Sequence, residues 1–230
     1  MTKKEFEAIG KRLLPELPGL AAKGQLLFMR PIGHTLRGIF FDRSIDPKSF
    51  YVWIFTKPLF VPAQHIGFNI GWRLRDGPGG SDIWNADVPN LIPELIAGLK
   101  REALPFLSRI QKPLDIVEAA NSIHPIKGPV AQPANADAPR DPVKQQAIAY
   151  SLARAADVKQ AGDALDQLIG LLREDISWQC EMADRARALK AQLVSDPAAA
   201  QRQLDAWEAE TVKNLGLEEF WDGGPGAMSG

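Results

Sequence analysis

The fold prediction begins with the stretch Ile66-Gly67-Phe68-Asn69-Ile70-Gly71-Trp72-Arg73-Leu74-Arg75. Apolar side chains occupy every second position, and glycine, asparagine or arginine stands at each position between them. A period of two residues is typical of a β-strand that buries one face and exposes the other. The stretch therefore predicts a half-buried strand of an antiparallel sheet.

Three more strands are predicted before this one. Residues 25–30, 35–43 and 49–60 are rich in apolar, aromatic and β-branched side chains, with turn-forming residues between them. The third segment has apolar residues on both faces, which predicts a central strand. Because short connections place neighbouring strands side by side, we expect an antiparallel meander of about four strands.

Helices are predicted on either side of this sheet. Residues 3–14 form a short amphipathic helix, and residues 114–120 a second one. A longer helix begins near Asn90, and Pro105 is expected to end or kink it. Its apolar stripe is expected to pack on the apolar face of the sheet. The stripe consists of Leu91, Ile92, Leu95, Ile96, Leu99, Ala103 and Leu104.

The second half of the chain is predicted to be helical. Apolar side chains recur at helical spacing over residues 143–155, 158–172, 176–193 and 197–215. We therefore predict an α+β protein with a sheet domain over residues 1–124 and a domain of about four helices over residues 142–216. A Pro/Ala-rich linker over 125–141 and a flexible tail over 217–230 complete the predicted division.

The layout of the first half resembles uncharacterised bacterial α+β domains that have no assigned activity. The resemblance rests on an N-terminal helix, a curled antiparallel sheet and a helix that ends in Leu104-Pro105-Phe106-Leu107. It covers about the first half of the chain and implies no site residue.

Composition argues against several classes of function. The formal net charge is -1 over 230 residues, so nothing draws the whole molecule towards nucleic acid or an anionic membrane. The longest apolar run, Phe50 to Phe55, is too short to span a bilayer as a helix, and the first residues lack the apolar segment of a signal peptide. With a single cysteine, these observations predict a cytoplasmic protein that has no membrane partner, and they disfavour a nucleic-acid partner.

Few residues suggest catalysis. The histidines are His34, His65 and His124, and none stands at metal-ligand spacing from another histidine or a cysteine. His34 and His65 precede predicted strands and could meet at one edge of the sheet, where either could act as an acid/base. The alternative is that both are ordinary surface histidines. The sequence predicts no metal and no cofactor, because it carries no motif for either.

A cluster of arginines is the strongest candidate for binding. Arg73 and Arg75 share one face of the last predicted strand, and Arg37 and Arg43 share a face of an earlier one. Should the register bring them together beside Tyr51 and Trp53, the open face would be basic and aromatic. Such a face could bind an acidic protein surface or stack on a single strand of nucleic acid. The alternative is a solvated outer face with scattered charges.

These observations favour a non-enzymatic binding protein that uses either the aromatic-basic sheet face or the C-terminal helical hairpins. Its partner would be another protein or a second copy of the chain. One alternative is a cofactor-free hydrolase with His34 or His65 as the acid/base. A further alternative is an immunity-type protein that neutralises a toxin, by analogy with other small α+β proteins.

Overall fold

The computed structural model describes residues 1–76, 80–124, 128–129 and 141–222. An antiparallel sheet occupies the N-terminal half and a helical region follows it, which confirms the predicted α+β class. The remaining residues, including most of the predicted linker and the end of the predicted tail, lie outside this description.

The sheet is a meander in the order β1-β2-β3-β4-β5, with β6 also paired to β4. All of its neighbouring strands are antiparallel. The longest pairing joins β3 to β4 along their whole length, from Thr35 opposite Pro58 to Arg43 opposite Phe50. The strands are β1 Leu20–Lys23, β2 Leu26–Met29, β3 Thr35–Arg43, β4 Ser49–Pro58, β5 Gly71–Arg73 and β6 Ile83–Asn85.

Both faces of β4 are largely buried, as predicted for a central strand. On the first face, Val52 and Ile54 join Ile39 and Phe41 of β3 in the main hydrophobic cluster. On the second face, Phe55 belongs to a smaller cluster. The fold therefore has most of its helical residues packed on one side of the sheet and a thinner, incomplete cover, which includes Val212 near the end of the last helix, on the other.

The predicted strand over residues 66–75 is wrong for its first half. Only Gly71–Arg73 forms a strand. Ile66 and Phe68 pack with the second-face cluster, whereas Ile70, Trp72 and Leu74 pack with the main one. The chain crosses from one face of the sheet to the other at this point, so an alternating apolar pattern arises without a single continuous strand.

Gly71 marks that crossing because a side chain cannot fit there. A Cβ at this position would lie 2.6 Å from the carbonyl oxygen of Ile54 and 2.8 Å from Cβ of Phe55. Glycine permits the close approach of β5 to β4, as expected where two backbones meet tightly. The strands β1 and β6 were not predicted, since each has only three or four residues and little alternation to detect.

The helices of the N-terminal half begin with α1, Lys3–Leu13, which Thr2 and Glu5 cap reciprocally. The predicted long helix is α2 Leu91–Gly98, a π-helical segment Leu99–Ala103 and α3 Leu104–Arg109. Pro105 does not end it, because the proline lies in the first turn of α3, where its missing N–H is tolerated. Helix α4, Pro113–Ser122, leads to a short hairpin of β7 Ile123–His124 and β8 Gly128–Pro129.

Four helices form the C-terminal region: α5 Pro142–Arg154, α6 Val158–Leu171, α7 Ser177–Ser195 and α8 Pro197–Leu215. Tyr150, Leu165 and Leu204 belong to the same buried cluster as the first face of the sheet. Hydrophobic side chains from both predicted domains thus pack together. None of the helices in the described ranges is long and apolar enough to cross a membrane.

The segment after α8 folds back onto the second face of the sheet. Gly216 takes a left-handed conformation that ends the helix. Phe220 then packs against Phe28 with ring centroids 5.0 Å apart. Trp221 forms a parallel bridge with Ile32, and the Asp222 amide donates to the Ile32 carbonyl. This segment covers one end of the second face and leaves the other end open.

Candidate functional site

The open end of the second face carries a group of side chains that we call the aromatic–arginine surface: Tyr51, Trp53, Phe68, Arg73 and Asp82. The register places Trp53 of β4 opposite Arg73 of β5, and Asp82 immediately precedes β6, whose Ile83 lies opposite Tyr51. Tyr51, Trp53, Phe68 and Arg73 are each partly exposed. The surface is accessible but is supported from below by the sheet.

Arg73 occupies the centre of this surface. The central carbon of its guanidinium lies 3.7 Å from the ring centroid of Tyr51 and 4.8 Å from that of Trp53. Its Nη1 donates to Asp82 Oδ2 over 3.0 Å. The Arg73 side chain is 33% exposed and that of Asp82 is 39% exposed. Cation–π contacts and the ion pair together hold the guanidinium in one orientation.

Phe68 extends the aromatic surface from the loop between β4 and β5. Its ring stacks on Trp53 with centroids 4.8 Å apart and planes only 7° from parallel. Phe40 of β3 lies 5.5 Å from Phe68, and Phe55 lies 5.4 Å from it. The result is a continuous row of rings that runs from the exposed surface into the second-face cluster.

Two donors at this surface lack acceptors. Trp53 Nε1 and Arg73 Nε are both buried and have no hydrogen-bond partner. A buried donor without an acceptor costs free energy, and such groups are uncommon in folded proteins. Both lie on the aromatic–arginine surface, and Thr56 Oγ1 and Trp72 Nε1, elsewhere on the sheet, also lack a partner.

The register separates the arginines that the sequence grouped together. Arg37 and Arg43 lie opposite Thr56 and Phe50, on the first face of the sheet, away from Arg73. Arg37 is buried and donates to the Pro31 carbonyl over 3.1 Å, and burial lowers its pKa. Arg43 is exposed at the end of β3. Arg75 lies beyond β5, is partly exposed and makes interactions of its own.

The structure adds two members of the surface that the sequence did not identify. Phe68 was expected on the buried face of a strand, and Asp82, which precedes β6, was not among the predicted site residues. The local sequence does not indicate that either residue belongs to this surface, because the positions of both depend on how the loops on either side of β5 fold.

A second candidate site surrounds His34, which precedes β3. His34 Nδ1 lies 2.8 Å from Oε2 of Glu208 in α8, and the histidine side chain is 38% exposed while the glutamate is 1% exposed. Trp221 Nε1 donates to the other oxygen of Glu208 over 3.0 Å. A buried carboxylate thus receives donors from the sheet region and from the chain after α8.

Arg154, at the end of α5, completes this site. Its Nη2 lies 3.2 Å from Nδ1 and 3.4 Å from Nε2 of His34, and 4.0 Å from Glu208 Oε2. Its Nη1 pairs with Asp205 at 2.5 Å. The near-equal distances to both ring nitrogens place the guanidinium group against the imidazole ring. Such a charge network joins three separate parts of the chain and also orients the imidazole.

His65, the other candidate acid/base, is exposed in the loop between β4 and β5. Within the described ranges it has no recorded carboxylate partner, so only His34 meets the geometric requirement for an acid/base. For His124 the described part is its backbone in β7.

Among the residues that the structure covers, no group of three or more His, Cys, Asp or Glu side chains could hold a metal ion. A cavity of about 40 Å³ lies between α3 and α4, lined by Phe106, Arg109, Ile110, Asp115, Glu118, Ala119 and Ser122. None of these residues belongs to either candidate site, and ligand pockets are usually several times larger.

Comparison with known proteins places the chain in no group: no protein-family model, no curated protein and no solved structure matches it. Its fold and its candidate sites therefore have to be interpreted from their own geometry. They define an α+β protein with a partly open sheet face on which an arginine is stacked between aromatic rings.

Proposed function

We propose that this chain is a non-enzymatic binding protein that docks a protein partner on its aromatic–arginine surface. The observation that carries the proposal is the stacking of Arg73 on Tyr51 and Trp53, at 3.7 and 4.8 Å from their ring centroids. Tryptophan, tyrosine and arginine are the residues most enriched among the energetic centres of protein interfaces. The single cysteine is in keeping with a place in the cytoplasm.

Local charge favours a protein partner over nucleic acid. Arg73 is already paired with Asp82, and Asp42 lies opposite Tyr51 on the same face. A surface that binds a nucleic-acid backbone needs an excess of cations to displace counterions from the phosphates. Here the acidic side chains offset the arginine, whereas a mixed polar rim around aromatic residues is typical of protein interfaces.

Trp53→Ala is expected to weaken partner binding about 30-fold or more, because it removes a ring that supports both Arg73 and Phe68. The measurement is co-purification of partners from native lysate, followed by affinity determination with the partner recovered. Trp178→Ala is the matched control, since Trp178 is 49% exposed on α7, outside this surface. Thermal melting of both variants shows whether a loss of binding reflects a loss of folding.

Equal capture of every partner by wild type, Trp53→Ala and Trp178→Ala would contradict the proposal. Light scattering after size exclusion provides a second readout, because a second copy of the chain is one of the partners considered. A strict monomer that retains nothing from lysate would also count against it.

A second candidate function is a cofactor-free hydrolase, favoured by the 2.8 Å contact between His34 and Glu208. A buried carboxylate that accepts a hydrogen bond from Nδ1–H orients an imidazole for acid/base work at its other nitrogen. If that activity exists, His34→Gln should reduce hydrolysis of p-nitrophenyl acetate about 100-fold or more. His65→Gln, at an exposed histidine, is the control, and equal rates for the two variants would exclude the hydrolase.

A further inference from the structure

We propose that the partner presents a carboxylate, flanked by apolar side chains, to Nη2 of Arg73. This inference rests on the proposed binding function and specifies the chemistry that the aromatic–arginine surface recognises. It is carried by the hydrogen bonds that Arg73 makes and by those that it leaves unmade.

The donors of Arg73 are only partly used within the described ranges. A guanidinium has five N–H donors, on Nε, Nη1 and Nη2. Nη1 is bonded to Asp82 over 3.0 Å, and Nε is buried without an acceptor. Asp82 is the sole hydrogen-bond acceptor recorded for Arg73 within the described ranges. Because one third of the side chain is exposed, Nη2 is the donor group left for a molecule from outside.

The side chain of Arg73 is preorganised for binding. The guanidinium is stacked on the rings of Tyr51 and Trp53, so its orientation is set before any partner arrives. A planar, fixed guanidinium matches a carboxylate through two parallel hydrogen bonds, which a lysine cannot do. Since the ordering of the side chain is complete in the free protein, little rotamer entropy is lost on binding.

Asp82 already makes one of the two hydrogen bonds that such a carboxylate would make with Arg73. It binds one nitrogen of Arg73, and its side chain is 39% exposed between β5 and β6. A partner carboxylate that binds Nη2 would compete with Asp82 for Nη1. Tyr51 and Trp53 lie against the guanidinium and Phe68 stacks on Trp53, so apolar side chains next to the carboxylate would be buried against these rings.

The experiment uses a display library of random short peptides, selected on the whole chain. Enriched peptides are expected to contain Asp or Glu beside Leu, Phe or Trp. Synthetic versions with Asn or Gln in place of the acid should bind about tenfold or more weakly. Arg73→Met should cause a similar loss and Arg73→Lys a partial one. Asp82→Asn should bind the acidic peptides more tightly, because the internal competitor loses its negative charge.

Peptides without a preference for acids over their amides would contradict the inference, as would weaker binding by Asp82→Asn. The Asp82→Asn arm remains decisive should Arg73→Met fail to fold, since it leaves Arg73 and the rings in place. The absence of any enriched peptide would also contradict it. Partner binding that is lost in Trp53→Ala but kept in Arg73→Met would contradict the inference that a partner carboxylate binds Arg73. The proposed binding function would then still stand.

Discussion

Glu208→Ala is expected to lower the free energy of unfolding by about 3–5 kcal/mol, as is usual when one member of a buried charge network is removed. The carboxylate is 1% exposed and accepts from both His34 and Trp221. Its loss leaves those donors without an acceptor and leaves Arg154 with Asp205 as its remaining acidic partner. Urea denaturation followed by circular dichroism measures the change.

Two further variants separate the causes of this effect. Glu208→Gln keeps the shape of the side chain and one acceptor oxygen, so it should destabilise the fold less than Glu208→Ala. Glu210→Ala changes an exposed residue two positions along the same helix and should alter stability by less than about 0.5 kcal/mol. If Glu208→Ala were as stable as Glu210→Ala, the buried network would not hold the helices to the sheet region.

Lys57→Met is expected to stabilise the protein at pH 7 by up to about 3 kcal/mol. Burial lowers the pKa of Lys57 from its ordinary value of 10.5 to about 8. Within the ranges that the structure describes, Lys57 has no recorded acidic partner to offset the cost of burying its charge. Each tenfold change in proton affinity corresponds to about 1.4 kcal/mol, and since the side chain is still partly exposed, the value above is an upper bound.

The same residue makes stability depend on pH in a defined direction. Below about pH 8 Lys57 is charged in both the folded and the unfolded chain, and the full cost of its burial applies. Between about pH 8 and pH 10 the folded protein releases the proton while the unfolded chain keeps it, so stability rises with pH. Above pH 10 Tyr150 lowers stability as the pH rises. Burial raises its pKa to about 12, so the folded protein keeps a proton that the unfolded chain releases.

Lys57→Met should therefore flatten the rise in stability between pH 8 and pH 10, and denaturation midpoints across this range test it. Burial also lowers the pKa of Lys144, so part of the rise should remain in the variant. Lys159→Met is the control, because Lys159 is exposed on α6 and should change neither stability nor its pH dependence noticeably. A rise in stability equally steep in wild type and Lys57→Met would exclude this explanation.

The candidate sites show which parts of function could be predicted from the sequence. Tyr51, Trp53 and Arg73 were identified because the period of two places alternate residues on one face of a strand. The grouping of Arg37 and Arg43 with them depended on the register between strands, and the register places both arginines on the opposite face. Glu208 was not identified, since 174 positions separate it from His34 and no local pattern links them.

The sequence by itself determined the class of the fold and the approximate bounds of its longer helices and strands. Periodicity and capping act over a few residues, so α1, β3, β4 and the four C-terminal helices could be predicted from local patterns. Tertiary structure alone decided where the chain crosses the sheet at Gly71, which arginines meet the aromatic rings, and how His34, Arg154 and Glu208 come together. These outcomes depend on close packing and charge pairing between distant segments, and local periodicity carries no information about either.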